Sequence, residues 1–348
     1  MNNNENAIFI STRKSKIKAK LKNSKYKPKI SLIIIFASII IFLLLTIIFI
    51  LIYKIYNENK IIFKEKTILN ENNESKISNE TIISKPKIVQ ITYGNSYFKR
   101  QLKLNNKSAI EVGEVDEHYA YGPKDIDHEF IKKNKGIFSI GRGNGLWLWK
   151  PYIINKTIVE KLKDGDYLIY TDAAMLFMNS TRLLIDFLNE QNASMWMNRL
   201  TLKEKKYSKR DAFILMDADT PYYYDTNQYM AGIQIYKKSN YTVKFIQEWL
   251  KYCQDERIIR GIKNTMGQNN YPGFIENRHD QTALSILIKK YGEANSGSPN
   301  MTLDELKKRK HIIMPNIICM YRRKPFKDYD DIKEKCKKTI KYQDHIFS

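Results

Sequence analysis

Twenty-four consecutive uncharged residues, Ile30 to Tyr53 (ISLIIIFASIIIFLLLTIIFILIY), limit this chain more than any other feature. As a helix the run is long enough to cross the ~30 Å hydrocarbon layer of a bilayer. It has no polar face with which to pack as a soluble core helix. A cleaved signal peptide calls for an apolar region of only ~7–15 residues behind a short leader. Here a 29-residue leader precedes the run and no clear small-x-small site follows it. The expectation is an uncleaved anchor. Arg13, Lys14, Lys16, Lys18, Lys20, Lys22, Lys25, Lys27 and Lys29 lie before it, against the single acid Glu5. Basic residues beside a span stay cytoplasmic, so the expected topology is type II, with everything after residue 53 luminal or extracytoplasmic.

The net charge is +22, of which the leader supplies +8; 50 basic against 36 acidic residues remain, +14. Those charges are scattered lysines among Asn and Ile, with no Arg-rich helix or RNA-binding aromatic motif to organise them. The reading is solvated surface, not nucleic-acid binding, although a basic domain attracts anionic substrates. Cys253, Cys319 and Cys336 all follow the span, where one disulfide is permitted; Cys319 and Cys336 are the nearer pair in sequence. No metal-type cysteine spacing occurs. Eight Asn-x-Ser/Thr sequons on the same side are compatible with glycosylation and no more.

Residues 54–86 are polar and aperiodic, a stem. From Pro86 the pattern changes to alternating strands and helices, that of an α/β domain with a largely parallel sheet. Strands are expected at Ile88–Thr92, 167–171, Ala212–Met216 and Gly232–Tyr236. Helices are expected after Pro151 (Ile154, Ile158, Leu162), around Leu183–Leu188, through Val243–Cys253, and from an N-cap at Asp280 to Gly292. Residues 87–325 form the domain on this reading, and 326–348 a charged tail.

Open α/β sheets bind ligands beyond the carboxyl ends of their strands, and DYLIYTDAA delivers Asp172 to such an end. A turn aspartate bonding its own backbone is the equal alternative. GRGNGLWLWKPY adds Gly141, Gly143 and Gly145 for close backbone approach, the cations Arg142 and Lys150, and Trp147 and Trp149 for stacking. Its glycines lack dinucleotide-binding spacing, which excludes a nicotinamide site. FILMDADT offers Asp217 and Asp219 as a literal Asp-x-Asp; it resembles a haloacid-dehalogenase phosphatase signature, but Pro221 stands where the Thr belongs.

The ordered blocks GRGNGLWLWKPYIINKTI, LKDGDYLIYTDAA, SKRDAFILMDAD, NQYMAGIQIYKKS, FIQEWLKYCQDERII and RHDQTALSILIKKYG, across about residues 88–292, resemble a family of GT-A glycosyltransferases. Its members occur in surface-polysaccharide loci, protists and large viruses. The resemblance implies a GT-A-like, Rossmann-type sandwich with a mixed, mostly parallel sheet. It implies a hexosyltransferase-like enzyme that moves a sugar from a nucleotide-diphospho-sugar to a glycan, glycoprotein or glycolipid acceptor. Asp172 matches the first acid of the family's Asp-x-Asp, whereas Ala174 stands at the second. Mn²⁺ or Mg²⁺ is therefore a weaker expectation, and Arg142 and Lys150 are expected at the departing diphosphate. Gly94, Trp149, Gln228, Ala231, Gly232 and Gln281 are expected on the donor side. Asp280 is a second catalytic acid or a plain helix cap, and His279 a metal or diphosphate contact. In a eukaryote the membrane would be Golgi or ER. A catalytically inactive carbohydrate-binding protein and a phosphatase are the alternatives.

Overall fold

Alternation of side chains along the strands gives the domain two cores, one on each face of a central sheet. In the strand Tyr167–Thr171, Leu168 and Tyr170 enter one core while Tyr167 and Ile169 enter the other. The computed structural model describes Lys54 and residues 85–292, 317–321 and 328–346. The chain divides into two units, Met1–Ile83 and Ser84–Ser348, and every element below belongs to the second. The apolar run lies outside the described residues, as does the stem apart from Lys54, Lys85 and Pro86. Among the described residues no helix is long and apolar enough to cross a membrane.

Among the described residues the strands are β1 (Ile88–Tyr93), β2 (Glu117–Tyr121), β3 (Tyr167–Thr171), β4 (Met175–Phe177), β5 (Met195–Lys203), β6 (Asn227–Lys237) and β7 (Ile318–Met320). Five form the main sheet in the order β2-β1-β3-β6-β5. β1 is parallel to both β2 and β3, and β6 is antiparallel to both β3 and β5, so four of the five strands share one direction. The sheet is mixed and mostly parallel. β4 and β7 make a separate antiparallel pair.

The helices used here are α1 (Lys99–Glu111), α2 (Trp149–Glu160), α3 (Arg182–Glu190), α4 (Glu204–Tyr207), α5 (Arg210–Leu215), α6 (Asn240–Cys253), α7 (Asp280–Lys290) and α8 (Tyr329–Ile346). α2, α6 and α7 cover one face of the sheet: Ile153, Ile154, Ile158, Phe245, Ile246, Trp249, Leu284 and Leu287 pack with Leu168, Tyr170 and Tyr236. Ala109 of α1 and Leu184, Phe187 and Leu188 of α3 belong to the core on the other face. The result is a three-layer α/β/α sandwich.

α2 begins two residues before Pro151, which therefore falls in the first turn, where its missing N–H leaves no bond unmade. Ser239 and Thr242 form a capping box at the start of α6. The expected strand Ala212–Met216 is instead part of α5, a correction. Four to five apolar residues do not distinguish a strand from a buried helical turn, and Asp217 ends the turn at φ +50°. The region expected as a charged tail holds α8, which Cys336 joins to β7 through a disulfide to Cys319. Cys253 is buried and free.

Candidate functional site

From β1 the chain passes to β2 on one side, and the next strand, β3, lies on the other side of β1. The connections therefore reverse direction between β1 and β3, and the carboxyl ends of those two strands mark the switch point where α/β sheets bind ligands. Tyr93 and Gly94 stand at the end of β1, and Asp172 stands one residue past β3.

Asp172 is held in place by protein groups on β3 and β6. Its N–H donates to the Gly232 carbonyl (2.8 Å), and the Tyr170 hydroxyl donates to Oδ1 (2.7 Å). The Lys150 ammonium lies 3.4 Å from Asp172 Oδ1, 3.1 Å from Asp280 Oδ2 and 3.2 Å from the Ala231 carbonyl it donates to. The side chains of Lys150 and Asp280 are 4% and 5% exposed, against 14% for Asp172. Asp172 is thus the member a ligand reaches, and the other two stand behind it. Burial pushes the Asp280 carboxyl up to about 6, against the pull of Lys150. The Tyr170 ring, 5.2 Å from the ammonium, adds a cation–π contact.

Gly232 supplies close approach. A Cβ built there would come within 3.1 Å of Asp172 Oδ2 and 3.2 Å of Met175 Cε. The Asp172 carboxylate and Met175 thus pack closely against Gly232.

The Gly-rich stretch is a loop with left-handed residues, including Gly143 at φ +62° and Gly145 at φ +90°. A Cβ on Gly143 would enter the Trp147 ring. The two tryptophans do not make one stacking face: Trp149 stacks on Tyr93 at 3.7 Å, and Trp147 stacks on His279 at 5.6 Å. Trp149 Nε1 donates to the Gly143 carbonyl, and Asn144 donates to the Tyr93 hydroxyl, so the loop is fastened to the end of β1.

Several expected site residues lie elsewhere or act differently. Arg142 is exposed and pairs with Glu276 at 3.1 Å. Gln228 is fully buried and its amide is engaged by protein groups, so it does not face a sugar. Asp280 is the first residue of α7 and makes no cap; the N-cap position is His279, whose side chain caps nothing. His279 is buried with Nδ1 2.8 Å from the Ile259 carbonyl, and burial holds its pKa below the usual imidazole value. Gly94 donates its N–H to the Tyr121 carbonyl, at the mouth of β1. Asp217 and Asp219 follow a helix, and Asp219 accepts from Arg210 and Tyr271. That removes the strand-end geometry a phosphatase reading requires. Among the described residues no three His, Cys, Asp or Glu side chains converge as a metal site.

Sequence reasoning missed Tyr93, Asn144, Tyr170 and the buried Glu204. It named Gln281 but missed the polar stripe that Gln281 forms with Ser285 and Lys289, at i, i+4 and i+8 on an otherwise apolar helix. That spacing puts all three on one face, so the signal was present.

No protein-family model and no curated protein matches the chain. Solved structures similar in chain path are glycosyltransferases. Mouse xyloside xylosyltransferase 1, apo form, aligns over 69% of this chain and 99% of its own, with 7% identity and a TM-score of 0.38. Core-mannan synthase A from Aspergillus fumigatus, in an Mn/GDP form, aligns over 60% and 71% with 12% identity and a TM-score of 0.35. A glycosyltransferase involved in glycosylation of the PBCV-1 major capsid aligns over 72% and 100% with 9% identity and a TM-score of 0.34. At these values the likenesses bear on neither donor nor acceptor.

Proposed function

We propose that this chain is a glycosyltransferase that uses a nucleotide-diphospho-sugar donor and a glycan, glycoprotein or glycolipid acceptor. The observation that supports this best is the Asp172–Lys150–Asp280 cluster at the switch point between β1 and β3. It offers one reachable carboxylate, held in place by a buried ammonium, beside an aromatic and glycine-rich loop. In the transfer an acceptor hydroxyl oxygen bonds to the sugar's anomeric carbon, and the bond from that carbon to the diphosphate breaks. The diphosphate leaves with the electron pair, and the hydroxyl proton passes to a base. Asp172 accepts hydrogen bonds from donor hydroxyls and fixes the sugar-nucleotide at the strand end. Lys150 and Asp280 keep that carboxylate oriented. Arg142, at the open Gly141–Gly143 segment, exchanges Glu276 for the diphosphate.

The described residues do not form a metal cage. A divalent cation of the Mg²⁺ type binds through one or two carboxylates together with substrate phosphates; here Asp172 would be the protein's share, and the ion would neutralise the departing diphosphate.

The proposal includes the type II arrangement: an anchor at 30–53 and a catalytic domain on the luminal or extracytoplasmic side. The Cys319–Cys336 disulfide suits an oxidising compartment.

The test is to incubate the purified full-length chain with a panel of sugar nucleotides and measure released nucleoside diphosphate. Wild type should release it from at least one donor, and Asp172→Asn should lose roughly a hundredfold or more in rate while melting near the wild-type temperature. Asp217→Asn should keep most activity. A carbohydrate-binding protein without catalysis would release nothing. An inactive Asp217→Asn beside an active Asp172→Asn would move the site to the Met-Asp-Ala-Asp turn and overturn the assignment.

A further inference from the structure

Behind the cluster runs a continuous hydrogen-bonded chain, buried except at the half-buried Gln281, that ends on a second, fully buried ion pair. Glu204, the first residue of α4, has no exposed surface, nor does the side chain of Lys289, whose ammonium lies 2.6 Å from Glu204 Oε2. Ser285 donates to the same oxygen. Glu204 Oε1 accepts from Ser208 (2.6 Å) and from Gln228 Nε2 (3.0 Å). Gln228 Oε1 accepts from Gln281 Nε2 (2.7 Å), and Gln281 Oε1 accepts from the Ala231 N–H (3.1 Å). The carbonyl of Ala231 holds the Lys150 ammonium.

This chain has one direction, and Glu204 sets it. An ionised carboxylate only accepts, so Gln228 must turn its amide nitrogen toward Glu204 and its oxygen toward Gln281. Gln281 must then turn its nitrogen toward Gln228 and its oxygen toward the Ala231 N–H. Reversing either amide would set two acceptors, or two donors, face to face in the interior, where an unpaired polar group is costly.

The backbone explains why side chains are needed. Between Gln234 and Tyr229 the ladder from β6 to β5 is irregular, since Met197 pairs Gln234 and Arg199 pairs Tyr229. Within that bulge α7 supplies partners: Gln281 accepts from Ala231 N–H and Ser285 from Tyr229 N–H (2.9 Å). Bulges re-aim side chains beside functional sites. Here the bulge aims a carbonyl, which also accepts from Gln234 (2.8 Å).

We propose that Gln281 and Gln228, oriented by Glu204, are positioning residues for the site: they fix the Ala231 peptide, and through it the Lys150 ammonium between Asp172 and Asp280. Both act through the Ala231 peptide. The inference rests on the transferase reading for its kinetic consequence only; the placement of Lys150 is structural.

The test uses the full-length chain with Gln281→Met, similar in length but unable to make either bond, and Gln281→Glu. The glutamate still accepts from Ala231 N–H but sets an acceptor against Gln228 Oε1. For whichever donor the wild type turns over, both variants should lose roughly ten- to a hundredfold in kcat, the scale of a misplaced reacting group. Donor KM should rise in the same variants, because Asp172, which Lys150 orients, also holds the donor. Crystal structures of the variants should show the Lys150 ammonium displaced from the Ala231 carbonyl. If the methionine variant fails to fold, the glutamate variant supplies both readouts. Lys150 found at its wild-type distances in a folded variant overturns the proposal, as does unchanged kcat. If wild type releases no diphosphate from any donor, the transferase reading fails, and the position of Lys150 alone decides the inference.

Discussion

Asp280 is a carboxyl group with almost no exposed surface, next to one ammonium that it shares with Asp172. Burial raises its pKa from 3.8 to about 6. The folded chain therefore binds this proton more tightly than the unfolded chain does. As pH rises from about 4 to about 6 the unfolded state gives up the proton first, so this group's contribution to stability falls over that window and is flat above it. A displacement of about two pKa units corresponds to about 3 kcal/mol. Asp280→Asn removes the titration. Its urea-unfolding free energy should fall less between pH 4.5 and 7.5 than that of wild type, by about 2 kcal/mol. Parallel pH profiles for the two proteins would contradict the assignment. Asp172 was legible in the sequence because a strand end is marked by the apolar run before it. Its contact with Lys150 and Asp280 was not, because that depends on where α2 and α7 begin in space.

At the scale of elements, β3, β6, α6 and α7 were legible, since each has a strong period and turn or capping residues at its ends. β2 and β5 were not. They are the two edges of the sheet, and an edge strand is half-exposed, as the largely intermediate burial of Glu117–Tyr121 shows. α5 reads as a strand because its apolar run is too short to show a period. A further element has no regular structure: the segment from Arg260 to His279, which contains no helix or strand. Asp211 of α5, fully buried, pins it by accepting from Thr265 N–H (2.7 Å), Thr265 Oγ1 (3.0 Å) and Met266 N–H (3.1 Å). Loops of this length are commonly functional, and this one carries Glu276 to Arg142. Asp211→Ala should speed amide hydrogen exchange across residues 262–275 by roughly tenfold or more while leaving β1 and β3 unchanged. A uniform acceleration through the sheet would mean that Asp211 supports the whole fold instead of the loop.

For the whole molecule, the proposed type II arrangement would place residues 54–348 across the membrane from the basic leader. Protease added to sealed microsomes that contain the chain should remove only the amino-terminal tail, and the rest should become sensitive after detergent. Digestion of the 54–348 portion in intact vesicles would refute the topology.

One ammonium ties together residues from three separate parts of the domain, since Lys150 opens α2, Asp172 follows β3 and Asp280 starts α7. During synthesis the first two emerge well before the third, and β6, which carries the Ala231 carbonyl, comes between them. The pairing of β6 with β3 joins distant stretches of sequence, the kind of contact that forms slowly. A ribosome stalled before α7 would release a chain whose Lys150 and Asp172 lack Asp280 and the aimed peptide. Such a fragment would keep strands but no assembled cluster. On the proposed reading, the donor site would be assembled only once α7 has been made.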